Sequence, residues 1–236
     1  MDNQNTFEEN IARFNAALGN ISIDLPKNYM ILNPYSGEKK ELINKMSAIF
    51  YRKFFNDTYP RKLILGSSPA RRGSAVTGIP FEDIEHLQQE TGIKIDGFRI
   101  NQASSSFLYE VVSNYGGIQK FYSDFYMNFV CPLGIVQKNS KGNYVNCNYY
   151  ENKNILSILL PFLVDSLHKI ISFGIDTSVC YCIGSGENYK VLRTINDNYK
   201  FFKKIIPLEH PRYITQYHSE DKYEYLNKYM QALSEG

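Results

Sequence analysis

His210 follows the apolar run KIIPL and stands just before Pro211. An imidazole at the carboxyl end of a strand is well placed for proton chemistry near neutral pH. A second set of reactive groups lies in GSSPARRGSAVTGIPFED, Gly66 to Asp83. Ser68 offers a hydroxyl, Asp83 a carboxylate, and Arg71 and Arg72 two adjacent cations. Ser68, His210 and Asp83 could in principle make a serine nucleophile, but GSSPA lacks the G-x-S-x-G elbow. A third candidate is GSGEN, where Ser185 sits between Gly184 and Gly186 as a phosphate contact would. Asn188 and Tyr189 break both the Walker and the G-x-G-x-x-G patterns, so the glycines also fit a plain strand-to-helix turn. His168 and His86 fall within helical segments and read as structural.

These residues need a scaffold, and the composition supplies one. The chain has 236 residues, 43% of them hydrophobic, enough for a sizeable core and against disorder. Its net charge of +2 argues for no partner by itself. Local clusters, Arg61 with Lys62, Arg71 and Arg72, and Lys200 with Lys203, Lys204 and Arg212, are candidate phosphate contacts or solvated surface. The 19 tyrosines and 15 phenylalanines suit base stacking as well as core rims. Cys131, Cys147, Cys180 and Cys182 form no C-x-x-C pair, which argues against zinc or an iron–sulfur cluster. Buried free thiols are expected instead. No cofactor is expected. The N-terminus MDNQNTFEEN is polar, and the apolar run ILSILLPFLV is too short for a bilayer, so a cytoplasmic protein with no membrane partner is the expectation.

Thr6 and Glu9 form a capping-box pattern before Phe7, Ile11, Phe14 and Leu18 at helical spacing. A second helix is predicted from about Glu38 to Phe55. KLILG reads as a buried strand, FEDIEHLQQETG and FLYEVVSNYGG as helices, and FYMNFVCPLGI as a strand ending at Pro132. NSKGNYVNCNYYENKN reads as an exposed excursion. ILSILLPFLVDSLHKIISFG is a buried helix with Pro161 in its first turns. SVCYCIGSGENYKVLRTIN reads strand, turn, helix; KIIPLEHPRY is a last strand and a Pro-marked turn; SEDKYEYLNKYMQAL is a terminal helix. Four alternations of strand and helix predict an α/β/α sandwich around a four-stranded parallel sheet. Residues 1–236 are expected to form one domain, with 1–30 as an N-terminal helical extension and a motif-bearing core over about 30–225. Ligands in such folds bind beyond the carboxyl ends of the strands.

The opening loop resembles the first motif of the uracil-DNA glycosylase superfamily, above all its single-strand-selective monofunctional family, in the bacterial second branch. That motif runs G-M-N-P-G-P-F-G-M-x-Q-T-G-V-P-F-G-E. Gly66, Pro69, Gly73, Thr77, Gly78, Pro80 and Phe81 match without a gap. LNPY at 32–35 resembles the upstream Y-N-P segment, NFVCPLG the N-x-C-P-L strand end, and LEHPRY the H-P-S-P motif. The four pieces occur in family order over roughly residues 30 to 225.

The resemblance implies hydrolysis of the N-glycosidic bond of a deaminated base in DNA, with a flipped base and a water nucleophile. Uracil is the first substrate implied; xanthine and oxidised pyrimidines are further candidates. Phe81 matches the stacking phenylalanine. Asn128 matches the asparagine that reads the pyrimidine edge, although it lies three residues before Cys131 where the family has two; one residue reverses side-chain direction on a strand. His210 would donate to the base O2 as charge develops there. Gly66, Ala70 and Ser74 would border the base. Arg71, Arg72, Ser185, Arg212 and Tyr213 would contact DNA. Ser68 replaces the water-orienting asparagine, leaving Asp83 as the other candidate for holding water or stabilising the sugar cation. A monomer is expected. A catalytically weak DNA-binding relative and a serine esterase are the alternatives.

Overall fold

The computed structural model describes residues 5–95 and 103–235. The chain runs α1 (Phe7–Gly19), β1 (Tyr29–Leu32), α2 (Lys40–Phe55) and β2 (Arg61–Gly66). The glycine-rich loop contains one short turn, α3 (Ser74–Thr77), and leads into α4 (Ile84–Thr91). Then come α5 (Ala103–Tyr115), α6 (Ile118–Asp124), β3 (Phe125–Phe129), β4 (Gly134–Lys138) and β5 (Tyr144–Asn146). The remainder is α7 (Lys153–Ile171), β6 (Ile175–Ile183), α8 (Glu187–Tyr199), β7 (Lys204–Leu208), α9 (Pro211–Tyr217) and α10 (Lys222–Glu235).

Four strands form the parallel central sheet in the order β3-β2-β6-β7. β2 lies in the middle and is almost wholly buried, which explains why KLILG reads as a continuous apolar run. Gly66 pairs with Phe129, Leu65 with Cys182, and Ile183 with Leu208, so the carboxyl ends align. The loops after all four strands therefore open at one edge of the sheet. β7 is an edge strand, which tolerates Pro207 because its missing N–H breaks no central ladder.

α1 belongs to the core rather than standing as an extension. The Thr6 hydroxyl accepts from the Glu9 N–H, and the Glu9 carboxylate accepts from the Thr6 N–H. The rings of Phe55, Tyr126 and Phe173 surround Phe7. All four cysteines are buried, and no disulfide joins them.

Three expectations change. The polar excursion after β4 is not simply exposed: β5 pairs with β4, which pairs with β1, in a separate three-stranded antiparallel sheet. Cys147 and Tyr149 of that segment are buried. The helix around Pro161 starts at Lys153, so Pro161 lies inside it rather than near its start. At 19 residues α7 is long and apolar enough to cross a bilayer by length and composition. Its stripe Ile155, Leu159, Leu163, Leu167 and Ile170 is buried in the core cluster, and it packs against β6 and α1. Finally, HPRY starts a helix, not a turn: Pro211 occupies the first helical position of α9, where the absent N–H costs nothing.

Candidate active site

Beyond the strand ends lies a cleft of about 990 Å³. Its walls are the loop after β2, the Phe81–Glu82 step, the start of α5, Phe129, the segment from Asn146 to Tyr150, and His210 with α9. Three hydrogen bonds hold the loop after β2 in place. The Tyr35 hydroxyl donates to the Gly78 carbonyl at 2.5 Å. Asn146 Oδ1 accepts from the Arg71 N–H at 2.9 Å, and the Ser67 hydroxyl donates to Asn148 Oδ1 at 3.0 Å. Gly78 sits at φ 72°, and a Cβ there would meet Ile43 Cγ2 at 2.9 Å, so both backbone and space demand glycine.

His210 is half-buried at the N-cap of α9. Its Nδ1 accepts from the Arg212 N–H at 3.1 Å. An accepting Nδ1 carries no proton, so the neutral ring carries its proton on Nε2. Burial, helped by the Arg212 charge, lowers the His210 pKa to about 4. At neutral pH the residue is a fixed neutral donor on the cleft wall.

Phe81 adopts φ 62°, a conformation uncommon for a bulky side chain. The Ser74 hydroxyl accepts from the Phe81 N–H at 3.0 Å and pins that geometry. The ring stacks on Phe129 with centroids 4.9 Å apart and planes 29° from parallel. Gly66 lies directly beneath the pair: a Cβ there would meet Phe81 Cζ at 2.6 Å and Phe129 Cδ1 at 2.8 Å.

The acid on the cleft wall is Glu82, not Asp83. Asp83 is the N-cap of α4, accepting from the His86 N–H at 3.0 Å. Its Oδ2 meets the His86 ring at 2.9 Å and accepts from the Ser105 hydroxyl at 2.8 Å. Burial alone would raise its pKa, but these hydrogen bonds outweigh it and hold the carboxyl below its ordinary value. With its oxygens committed to a helix end, Asp83 is not aimed at substrate. Glu82 is only 4% exposed. Its Oε1 accepts from the Tyr122 hydroxyl at 2.5 Å, and its Oε2 from the Tyr109 hydroxyl. Burial pushes its pKa up to about 7 against the pull of the two hydroxyls. The signal in the sequence was an acid where the family motif has glycine.

The other expected residues divide. Ser68, Ala70, Arg71, Arg72, Ser74, Arg212 and Tyr213 all line the cleft. Asn128 does not. The β2–β3 register runs continuously from Lys62/Phe125 to Gly66/Phe129, and the residue two before Cys131 that faces the cleft is Phe129. Asn128 Nδ2 donates to the Tyr126 hydroxyl, its Oδ1 accepts from the Phe129 N–H, and it lines a small adjoining cavity shared with Ser74 and Pro69. Ser185 is exposed on the turn before α8 and is not part of the cleft wall. Arg61 leaves the basic cluster: 1% exposed, it pairs with Asp57 at 2.8 Å and donates to the carbonyls of Phe54, Tyr59 and Tyr122. Lys203 and Lys204 stand at the amino end of β7, so they too are separated from Arg212 by the length of the strand. Residues missed in the sequence are Glu82, Phe129, Asn146 and Asn148. Among the described residues no three His, Cys, Asp or Glu side chains converge as metal ligands would.

Residues 52–234 match the family model of the uracil DNA glycosylase superfamily. The fold is similar to the crystal structure of wild-type Pedobacter heparinus SMUG2, with a TM-score of 0.90 and 38% identity over 97% of each chain. No curated protein sequence matches the chain. The strand order, the motif loop and the similarity over nearly the whole length lead to one conclusion: the chain belongs to the uracil DNA glycosylase superfamily, in its single-strand-selective branch, and is a DNA glycosylase.

Proposed function

We propose that this protein removes uracil from DNA by a monofunctional route, with water rather than a lysine as the nucleophile. The observation that carries this reading is the His210 geometry: a neutral imidazole with its free N–H on the same cleft wall as the stacked pair of Phe81 and Phe129. In the proposed reaction the flipped uracil stacks on Phe81, backed by Phe129. The glycosidic bond lengthens, negative charge gathers on the base, and the sugar becomes oxocarbenium-like. The His210 Nε2–H donates to the base O2. Because the ring is already neutral and fixed, it needs no reorganisation as charge develops. For Asn128 to read the pyrimidine edge, as the family resemblance implies, it would use its second Nδ2–H and its second Oδ1 lone pair, because the first of each is engaged with the Tyr126 hydroxyl and the Phe129 N–H. Arg71, Arg72 and Arg212 meet phosphates at the rim, and Tyr213 fills the gap left by the flipped base. The protein acts as a monomer in the cytoplasm.

Ser74 and Ala70 reshape the pocket wall, which supports xanthine and oxidised pyrimidines as additional substrates. Single- and double-stranded oligonucleotides carrying each lesion, treated with protein and then alkali, test the proposal. Strand breaks at uracil are expected; none at any lesion would overturn it. A specific observation favours a second reading, a catalytically weak DNA-binding relative: Ser68 replaces the asparagine of the family motif. Binding to every lesion without turnover would select it. Against an esterase, His210 Nδ1 caps α9 and Asp83 caps α4, so neither is arranged to serve a serine triad.

A further inference from the structure

We infer that Glu82 is a further catalytic residue, whose carboxylate holds and deprotonates the attacking water in place of the amide absent at Ser68. The inference rests on the glycosylase reading above. Among the described residues lining the cleft, Glu82 is the one carboxyl group. Burying an acid is costly, and hydrogen bonds must offset that cost. Here two helices supply them: Tyr109 from α5 to Oε2, and Tyr122 from α6 to Oε1. One donor on each oxygen fixes the carboxylate plane and leaves each oxygen a further lone pair for a water.

The backbone explains why this acid and not its neighbour faces the cleft. Phe81 at φ 62° is a strained conformation for a non-glycine residue. The Ser74 hydroxyl holds it there and so sets the path of the next step; Asp83, extended at φ −103° and ψ 172°, then turns onto the end of α4, while Glu82 stays on the cleft wall.

The titratable groups around Glu82 come from each element packed on it. Tyr51 stands on α2, His86 on α4 with Asp83 at its cap, Tyr109 on α5 and Tyr122 on α6. Burial raises the Tyr51, Tyr109 and Tyr122 phenols far above ordinary tyrosine values, so they are permanent donors, not acids. With its own pKa at about 7, Glu82 is a usable general base near neutrality. In the step proposed, the N-glycosidic bond breaks and its electron pair leaves with the base. The water oxygen bonds to the anomeric carbon. One water proton passes to the Glu82 carboxylate and then to solvent. Water is the only co-reactant.

The test uses the full chain, a single-stranded oligonucleotide with one deoxyuridine, and single-turnover rates between about pH 5 and 9. Affinity is read with the uncleavable 2′-fluoro-deoxyuridine oligonucleotide. Wild type should speed up as pH rises through the Glu82 titration near 7. Glu82→Gln should lose about 100-fold or more at pH 8, with a flat pH profile and unchanged affinity. Tyr122→Phe removes a donor that favours the carboxylate, so its rise should move to higher pH while the plateau rate survives. A Glu82→Gln rate within about threefold of wild type with the same profile would overturn the assignment alone, as would an unshifted Tyr122→Phe profile should the glutamine variant fail to fold. A wild-type protein that cleaves no lesion would overturn the glycosylase reading itself.

Discussion

Gly66→Ala puts the geometry of the aromatic pair to a direct test. A Cβ at Gly66 would stand 2.6 Å from Phe81 Cζ and 2.8 Å from Phe129 Cδ1. Carbon atoms in van der Waals contact prefer about 3.5–4.0 Å, so one or both rings must retreat by roughly 1 Å. Gly66 ends the central strand and Phe129 is buried, so the half-buried Phe81 is the ring with room to give way. Overpacking of this kind costs about 1–3 kcal/mol. Displacing a substrate platform by about 1 Å can cost on the order of 100-fold in rate. Urea denaturation and single-turnover cleavage of a uracil oligonucleotide measure the two effects. Gly66→Ala should lose both stability and rate. Adding Phe81→Leu should recover part of the stability, because the smaller side chain removes one clash and gives the Phe129 ring room to move off the other, while the rate stays low. Gly66→Ala with wild-type stability and rate would refute the close packing of the pair; a double variant as active as wild type would refute Phe81 as the platform.

Other outcomes are equally specific. His210→Ala should lower the cleavage rate by about 10²–10³-fold, and an unchanged rate would remove His210 from its role. With its pKa lowered to about 4, well below the usual 6.5, His210 should stabilise the fold fully above pH 6.5 and cede that stability as pH falls toward 4. Glu82 has the opposite sign: its raised value favours the folded state below about 4.5 and penalises it as pH climbs to about 7. Thermal melts should therefore show Glu82→Gln matching wild type near pH 4.5 and exceeding it at pH 8, by at most about 3 kcal/mol. Arg61→Met should destabilise the fold by about 3 kcal/mol or more, because Asp57 and three carbonyls lose a buried partner, with cleavage intact below the melting point. Alanine at both Arg71 and Arg72 should weaken single-stranded DNA binding and flatten its log–log salt slope by about 0.7 for each phosphate no longer neutralised.

Local signals sufficed where structure depends on neighbours in the chain. The capping box of Thr6 and Glu9, the apolar run of β2 and the strand-end position of His210 are all legible as residue types at short spacing. So is the motif that sets Phe81 on the cleft wall, because a gapless pattern carries its geometry with it. The polar excursion was misread because β5 pairs only with the short strand β4, and β4 is held in a sheet only by β1, far upstream in the sequence. A strand such as β5, three residues long with one face exposed, has no periodicity to detect.

The sequence by itself therefore determined the parallel sheet, the edge of the sheet where the cleft opens and the loop that walls it. Tertiary structure decided which atoms face that cleft. Two adjacent acids, Glu82 and Asp83, look interchangeable as letters. Phe81, held at positive φ by Ser74, sets the path of the chain that leaves Glu82 on the cleft wall, and Asp83, extended at φ −103° and ψ 172°, turns its side chain onto the end of α4. In the same way, continuous pairing of β3 with β2 turned Phe129 toward the cleft and Asn128 away from its wall. Side-chain direction at such positions is set by local backbone torsions or a one-residue register. Both depend on contacts made only when the chain has closed on itself.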